Sequence, residues 1–177
     1  MSKVLISVLI CCFLQNVKAQ TPDKVYPQNY FGAPMEIPLL LAGNFGELRS
    51  NHFHAGIDIK TQGVTGQNVF ASAEGYVSRI KVQHGGYGKI VYIDHPNGYT
   101  TTYAHLNKFS KKIDAFVKKE QYHQESFSIN YYPDSGLIPI RKGERVAFSG
   151  NTGGSGGPHL HFEIRDTKSE HALNALL

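Results

Sequence analysis

Cysteine is almost missing from this chain of 177 residues, and both cysteines, Cys11 and Cys12, lie near the amino terminus. They stand inside a short apolar run from Val4 to Leu14, which precedes the small-x-small tripeptide Val17-Lys18-Ala19. A positive start, an apolar run and such a tripeptide are typical of a cleaved export signal. We therefore predict a signal peptide over residues 1–19, and a mature protein that has no disulfide and no cysteine metal ligand.

Long hydrophobic runs are also missing. The apolar run near the amino terminus is far shorter than the roughly 20 residues that a transmembrane helix needs, so we expect no stable membrane span. A lipoprotein anchor is the alternative for the same segment, but Ile10 and Cys11, which precede the two cysteines, are bulkier than the small residue usual before a lipid-modified cysteine. We expect an exported protein of the periplasm, the cell envelope or the extracellular space.

The chain also lacks a strong excess of either charge. The formal net charge is +4, and it falls to +2 when Lys3 and Lys18 leave with the signal segment. This charge is too small to indicate nucleic-acid binding, so no nucleic-acid partner is expected. Histidine, in contrast, is frequent, with nine residues. Since histidine is the commonest metal ligand and carries protons near neutral pH, the composition favours a histidine-centred site.

Internal repeats and low-complexity tracts are missing as well, and short β-type runs alternate with glycine along most of the chain. This pattern is typical of an all-β domain built from antiparallel sheets. The dipeptide Asn97-Gly98 indicates a tight hairpin. We predict an extended entry segment over residues 20–42 and one domain over residues 43–177. The predicted strands cover residues 68–72, 75–82, 89–94, 99–105, 143–149 and 159–165.

Residues 110–139 break this β-type rhythm. Ile113, Phe116 and Val117 lie at i, i+3 and i+4 between lysines, which predicts a short amphipathic helix within residues 110–124. We interpret residues 110–139 as an insertion that decorates the sheet rather than builds it. Two hypotheses remain open for it, a solvated surface excursion and a wall of a substrate groove.

Two histidine-containing pairs have the spacing of metal ligands. His54 and Asp58 are four residues apart, and His159 and His161 are two apart. On strands, even separations place side chains on one face, so each pair can point into a shared site. Two imidazoles and one carboxylate suit Zn²⁺ and leave a fourth position for water. His52 competes for such a role, because it would share a strand face with His54.

The order of the motifs gives these pairs a context. His54-Ala-Gly-Ile-Asp58, Tyr103-Ala-His105-Leu106 and Gly157-Pro-His159-Leu-His161-Phe-Glu163 follow one another along the chain. This series resembles the lysostaphin/LytM family of zinc endopeptidases, whose fold is shared with the duplicated hybrid motif. Further matching pieces are Gly75-Tyr-Val77, Gly86-Tyr-Gly88, His95-Pro-Asn-Gly98 and Ser149-Gly-Asn-Thr-Gly153.

The resemblance implies a role for each of the central histidines. His54, Asp58 and His161 would hold one Zn²⁺ ion, and His105 and His159 would be the two catalytic histidines that do not bind the metal. The implied substrate is bacterial peptidoglycan, at its stem or cross-bridge peptides, with the peptide bond cut by metal-activated water. A His-Glu-x-x-His helix is absent from the sequence, so the glutamate base of that other peptidase class is not available.

Other positions have two interpretations or depart from the pattern. Glu163 continues the face of His159 and His161 and is a candidate acceptor that orients one of them, although a simple surface or core-edge carboxylate is an equal alternative. Gly156 replaces the threonine of many relatives, and the chain ends where relatives often continue, which indicates a truncated product or the leading piece of a longer protein. Four further histidines are expected to be loop or surface residues: His84, His95, His123 and His171.

Two other functions remain as alternatives. The first is a non-catalytic LytM-like module that binds murein or activates a cell-wall amidase, although such relatives have typically lost metal ligands. The second is a phosphocarrier with the same β architecture, which is considered because fold alone does not define function. Such a carrier needs a cytoplasmic location, so the predicted export signal disfavours it.

Overall fold

A computed structural model of the chain describes residues 29–176. The predicted signal peptide and the first part of the predicted entry segment, residues 20–28, lie outside the described residues. Within residues 29–176, no helix has the length and apolar character that a membrane crossing requires. The elements in chain order are β1 (Leu41–Gly43), β2 (Ile57–Lys60), β3 (Asn68–Phe70), β4 (Gly75–Val82), β5 (Lys89–Asp94), β6 (Tyr99–Ala104), β7 (Lys108–Phe109), α1 (Lys111–His123), β8 (Ile129–Tyr131), β9 (Pro139–Ile140), β10 (Arg145–Phe148), β11 (His159–Asp166) and β12 (Ala172–Leu173).

The strands form two antiparallel sheets. The larger sheet has nine strands in the order β1-β2-β11-β6-β5-β4-β8, with β12 added beside β11 and β9 beside β4. The smaller sheet has three strands in the order β3-β10-β7. The predicted all-β fold with antiparallel sheets and one short helix is therefore confirmed. The strand that carries the last two histidines, β11, lies between β2 and β6 near the middle of the larger sheet.

The sequence patterns locate six of the twelve strands within residues 29–176, namely β3, β4, β5, β6, β10 and β11. The strands predicted at residues 75–82 and 89–94 have the predicted bounds. The Asn97-Gly98 hairpin is also present, with Gly98 at φ 81° and the His95 N–H bonded to the Tyr99 carbonyl at 2.9 Å. The strand predicted to end at His105 stops one residue earlier, because His105 itself takes a positive φ of 57°.

The two faces of the larger sheet differ in composition near its centre. On one face of β11, Leu160 and Phe162 are buried against the main apolar core together with Tyr103 of β6 and Ile93 of β5. The opposite face of β11 carries His159, His161, Glu163 and Arg165, because side chains alternate along a strand. The central sheet thus holds the apolar core on one side and a polar site on the other.

Residues 110–139 differ from the prediction that they only decorate the sheet. α1 covers most of the predicted helical segment, and its Ile113 and Val117 are buried in the main core. β8 then pairs with β4 and forms an edge of the larger sheet, and its Ile129 is buried in the same core. The apolar stripe of the helix and the open edge of β4 both require partners, so this segment builds the fold.

Tyr103 connects the larger sheet to a neighbouring loop through its hydroxyl group. The side chain is fully buried, and its oxygen accepts hydrogen bonds from the Ser72 backbone N–H at 2.8 Å and from the Thr101 hydroxyl at 3.0 Å. Removal of this oxygen leaves two buried donors unpaired, which costs more than the loss of one exposed hydrogen bond.

We therefore expect Tyr103→Phe to lower the free energy of unfolding by about 1–3 kcal/mol, measured by urea denaturation. Tyr122→Phe is the matched control, because Tyr122 is 84% exposed, and its effect should stay within about 0.5 kcal/mol. Equal stability of the two variants would contradict the structural role of the Tyr103 hydroxyl.

Candidate metal centre and histidine pair

Three side chains predicted as metal ligands converge in the structure. His54 Nε2 lies 3.0 Å from Asp58 Oδ1 and 3.0 Å from His161 Nδ1, and His161 Nδ1 lies 2.9 Å from Asp58 Oδ1. All three residues are buried, and they form a group that could hold a metal ion. The structure therefore brings together the residues that the sequence placed in separate motifs.

The local backbone explains how the three side chains meet. Asp58 of β2 pairs directly with His161 of β11 across the sheet, so their side chains project from the same face. His54 lies in the loop before β2, so the prediction that His54 and Asp58 share a strand face is wrong. This loop passes close to β11 at Gly56, where an added Cβ would lie 2.3 Å from the Phe162 carbonyl oxygen. Only glycine fits at that contact.

The hydrogen bonds of the two imidazoles determine which ring nitrogen carries the proton. His54 Nδ1 lies 2.7 Å from the Asn44 carbonyl oxygen, and His161 Nε2 lies 2.7 Å from Glu163 Oε1. Both partners are acceptors, so these nitrogens donate, and the other nitrogen of each ring presents a lone pair to the cluster. Two nitrogen lone pairs and the Asp58 carboxylate thus face one another. Such a convergence of acceptors is stabilised by a cation, and the donor set fits Zn²⁺.

Glu163 lies behind His161 and is completely buried. Its carboxylate also accepts hydrogen bonds from the Tyr87 hydroxyl at 2.6 Å and from Arg165 Nε at 2.5 Å. Burial raises the pKa of Glu163, but the hydrogen bonds and charges of His161 and Arg165 outweigh this effect and hold the pKa at about 2. The alternative of a surface carboxylate is therefore wrong. Glu163 orients the imidazole of His161. Burial lowers the pKa of His161, but the charges of the neighbouring Asp58 and Glu163 carboxylates outweigh this effect and raise it.

His105 and His159 lie side by side next to this cluster, with ring centroids 4.7 Å apart. His105 Nδ1 lies 2.8 Å from the Thr152 carbonyl oxygen, and His159 Nδ1 lies 2.8 Å from the Gly157 carbonyl oxygen. Each Nδ1 therefore donates to the backbone and leaves Nε2 as a proton acceptor. Burial and the neighbouring histidines lower the pKa of His105 to about 4, against the raising effect of its hydrogen bond to Thr152. His105 is thus a neutral base at neutral pH.

An open cavity of about 620 Å³ gives access to all of these groups. His52 lines it but is exposed and bonded to Asn51, and it lies outside the group that could hold a metal. Residues 110–139 contribute nothing to the lining of this cavity, so they do not form a wall beside the metal cluster. The lining residues other than the histidines and Asp58 are Arg49, Ser50, Gln83, Gly86, Tyr87, Gly154, Ser155 and Gly156.

Two residues of this site were missed by the sequence analysis. Arg49 Nη2 lies 2.9 Å from Asp58 Oδ2 and 3.2 Å from Glu47 Oε2, on the side of Asp58 that faces away from the imidazoles. Tyr87 covers His161, with ring centroids 4.9 Å apart. Tyr87 lies in the motif Gly86-Tyr-Gly88, which contributes to the family resemblance but predicted no role for the tyrosine. No motif indicated Arg49.

The remaining histidines differ in their surroundings. His84, His123 and His171 are exposed, as expected. His95 is buried, and the expectation of a surface position is wrong for it, although it does lie in a loop. Its Nδ1 donates to the Glu74 carbonyl at 2.7 Å, and its Nε2 lies 2.8 Å from the Thr101 hydroxyl oxygen. Burial lowers the pKa of His95, which is consistent with a neutral structural role.

The network around Glu163 gives a testable stability difference. In Glu163→Gln, one of the two acceptor oxygens becomes an NH2 group that cannot accept, so the side chain cannot serve His161, Tyr87 and Arg165 together. We therefore expect the free energy of unfolding to fall by about 1–3 kcal/mol in urea denaturation. Glu36→Gln is the control, because Glu36 is exposed, and it should change stability by less than about 0.5 kcal/mol. Unchanged stability of the Glu163 variant would contradict this account of the network.

The sequence profile of peptidase family M23 matches residues 52–122, a range that includes His54, Asp58 and His105. An uncharacterised metalloprotease of Haemophilus influenzae is 37% identical over 111 residues, covering 63% of this chain and 18% of the relative. The peptidoglycan DD-endopeptidase ShyA of Vibrio cholerae is 34% identical over 99 residues, covering 56% of this chain and 17% of the relative. The chain thus spans about a fifth of the length of these curated relatives.

Solved structures agree with the fold. A zinc-containing peptidase from Vibrio cholerae superposes with a TM-score of 0.62 at 22% identity, covering 84% of this chain and 40% of that one. At this identity the likeness concerns the fold alone. The profile match over residues 52–122, the relatives and the shared antiparallel architecture together show that this chain is similar to members of peptidase family M23.

Proposed function

We propose that this chain is a zinc-dependent endopeptidase that hydrolyses peptide cross-bridges of bacterial peptidoglycan. The observation that carries the proposal is the convergence of three acceptor atoms, from His54, Asp58 and His161, beside the paired imidazoles of His105 and His159 in one open cavity. The relative ShyA is named a peptidoglycan DD-endopeptidase, which supports the substrate class. An exported location, as the sequence predicts, is consistent with a substrate that lies outside the cytoplasm.

His54, Asp58 and His161 would hold the metal through one nitrogen or oxygen atom each. A bound Zn²⁺ would supply Lewis acidity toward the scissile carbonyl and lower the pKa of a water molecule toward neutrality. Glu163 holds His161 through Nε2, so that Nδ1 faces the site. Arg49 holds Asp58 through Oδ2, so that Oδ1 faces the site. Such outer hydrogen bonds orient ligands and sustain metal affinity.

His105 and His159 are the proposed catalytic pair. With Nδ1 of each ring donating to a backbone carbonyl, each Nε2 can accept the proton of the attacking water and return it to the leaving amine. Once protonated, either Nε2 can instead donate to the negative charge that develops on the substrate carbonyl oxygen. His105 takes a positive φ directly after β6, and its ring lies beside that of His159.

The alternative function, a non-catalytic module, requires neither metal ligands nor proton acceptors. A module that only binds murein or activates an amidase has no need of three convergent metal ligands together with two proton acceptors. The same residues would then be free to vary without loss of the binding function. The completeness of this cluster in one cavity favours an enzyme.

Digestion of purified peptidoglycan tests the proposal directly. We expect soluble peptide-containing fragments, identified by mass, to appear with the wild-type protein and to disappear after chelator treatment. His161→Ala should lose both bound zinc, measured by elemental analysis, and lytic activity, because one of three ligands is removed. His171→Ala, a change of an exposed histidine, should keep both properties.

Two results would contradict this assignment. Stoichiometric zinc in the His161→Ala protein would remove His161 from the ligand set. Full lysis by chelator-treated protein, verified to be metal-free, would remove the metal from the reaction. A wild-type protein that binds zinc but releases no fragment would favour the non-catalytic module.

His105→Ala separates proton transfer from metal binding. We expect zinc content to remain at the wild-type level while turnover falls by about 10²–10⁴, the usual effect of losing an acid–base group. His123→Ala provides the control, since His123 lies exposed at the end of α1 and outside the cavity. Wild-type turnover in the His105 variant would exclude His105 from the mechanism.

A further inference from the structure

A second pocket, of about 230 Å³, lies on the same face of the larger sheet as the metal cluster. The strand register shows this: Arg165 of β11 pairs with Thr100, which pairs with Asp94 of β5, and all three line the pocket. Arg165 follows His161 by four residues on one strand face. At 3.2–3.4 Å per residue, the pocket therefore lies about 13 Å from the metal cluster along the sheet.

One side of this pocket presents a preorganised guanidinium group. Arg79 lies over the ring of Tyr92 at 5.2 Å and over the ring of Tyr132 at 4.9 Å, and its Nε donates to Asn130 at 2.8 Å. Within residues 29–176 its guanidinium pairs with no carboxylate. Two rings and one hydrogen bond thus fix the plane of the group, and its terminal nitrogens remain available to bind a carboxylate in bidentate fashion.

A fixed carboxylate, that of Asp94, also lines this pocket. Asp94 Oδ1 accepts hydrogen bonds from the Ser78 and Thr100 hydroxyls, both at 2.7 Å, which leaves Oδ2 without a partner in the described part of the chain. Asp166 and Glu170 add two further acidic residues to the lining. Arg79 and Asp94 therefore face one pocket with opposite charges, and each is held by its own neighbours rather than by the other.

We propose that this pocket binds a zwitterionic α-amino acid group, with its carboxylate on Arg79 and its ammonium group on Asp94. Separated charges of opposite sign are complementary to a ligand that carries both signs, whereas an anion or a cation alone would meet one repulsive side. The group belongs to a peptide substrate whose reacting bond lies at the metal cluster, and this link rests on the proposed function. A peptide extends by at most about 3.3–3.6 Å per residue, so the bound group lies about four residues from that bond.

The ligand chemistry is tested with three small probes. Glycine has both charges, N-acetylglycine has only the carboxylate, and glycinamide has only the ammonium group. In a ¹H–¹⁵N NMR titration of the full chain, we expect saturable shifts from glycine at the backbone amides of Ser78, Thr100 and Thr167, which surround the pocket. Each of the other two probes should bind at least about tenfold more weakly there.

A pair of arginine variants separates the pocket from a general charge effect. Arg79→Gln should weaken glycine binding at these amides by at least about tenfold. Arg145→Gln is the matched control, because Arg145 also lies over an aromatic ring, that of Phe148, but on the smaller sheet, and binding should stay unchanged. Arg79→Lys retains the charge without the planar fork, and an intermediate affinity is expected.

Each other outcome overturns the proposal. The absence of saturable shifts at the pocket amides would exclude a site, and equal binding of N-acetylglycine or glycinamide would reveal an anion site or a cation site instead. Unchanged glycine binding in Arg79→Gln would place the ligand elsewhere, as would shifts confined to the metal cluster.

The connection to the substrate has its own readout. With peptidoglycan as substrate, Arg79→Gln should raise KM and leave kcat unchanged, because the residue lies outside the reacting centre. An unchanged KM together with specific glycine binding would refute the substrate link but keep the pocket. If no peptidoglycan is hydrolysed by the wild-type protein, the proposed function fails, and the NMR titration still decides the pocket separately.

Discussion

The site depends on the antiparallel pairing of β2 with β11, which places Asp58 directly opposite His161. This register gives a carboxylate and an imidazole on one sheet face within 2.9 Å, before any loop contributes. A shift of either strand by one residue would turn its ligand side chain toward the apolar core, because strand side chains alternate. The register is maintained by that core, where Ile59 of β2 and Leu160 of β11 pair on the opposite face and are fully buried.

Around this pair, hydrogen bonds determine the chemical character of each histidine. His54, His105 and His159 direct Nδ1 to backbone carbonyls, whereas His161 directs Nε2 to Glu163. The first arrangement exposes Nε2 and the second exposes Nδ1, and in both cases a lone pair faces the cavity. The cluster of acceptors is thereby built into the protein, at an electrostatic cost that a bound cation would offset.

The same sheet face extends beyond the cluster to a second pocket with separated charges. Glu163 and Arg165 form the connection between the two, because Arg165 lines the second pocket and its Nε bonds to the carboxylate that holds His161. The edge of the sheet on this side depends on β8, whose Asn130 also holds Arg79. The segment that resembled an insertion therefore contributes both to the core, through Ile129, and to the second pocket, through Asn130.

Much of the fold could be predicted from the sequence, because the signals involved are local. The strands from Gly75 to Val82 and from Lys89 to Asp94, the Asn97-Gly98 hairpin and the helix with buried Ile113 and Val117 follow from periodicity and turn chemistry. The pairing of β8 with β4 did not, since strand pairing is a long-range contact without a local signal. For the same reason the sequence assigned residues 110–139 to the surface.

For the site, too, local features could be predicted from the sequence and long-range contacts could not. Residue types and their order along the chain determined which histidines and which aspartate were candidates, because those motifs carry the resemblance to a known family. Only the tertiary structure decided that His54 reaches the cluster from a loop, that His52 remains outside it, and that Glu163 is buried. Arg49 and Tyr87 also became visible only there. The physical reason is that burial, proton position and hydrogen-bond partners are properties of contacts between distant segments, and spacing along the chain does not contain them.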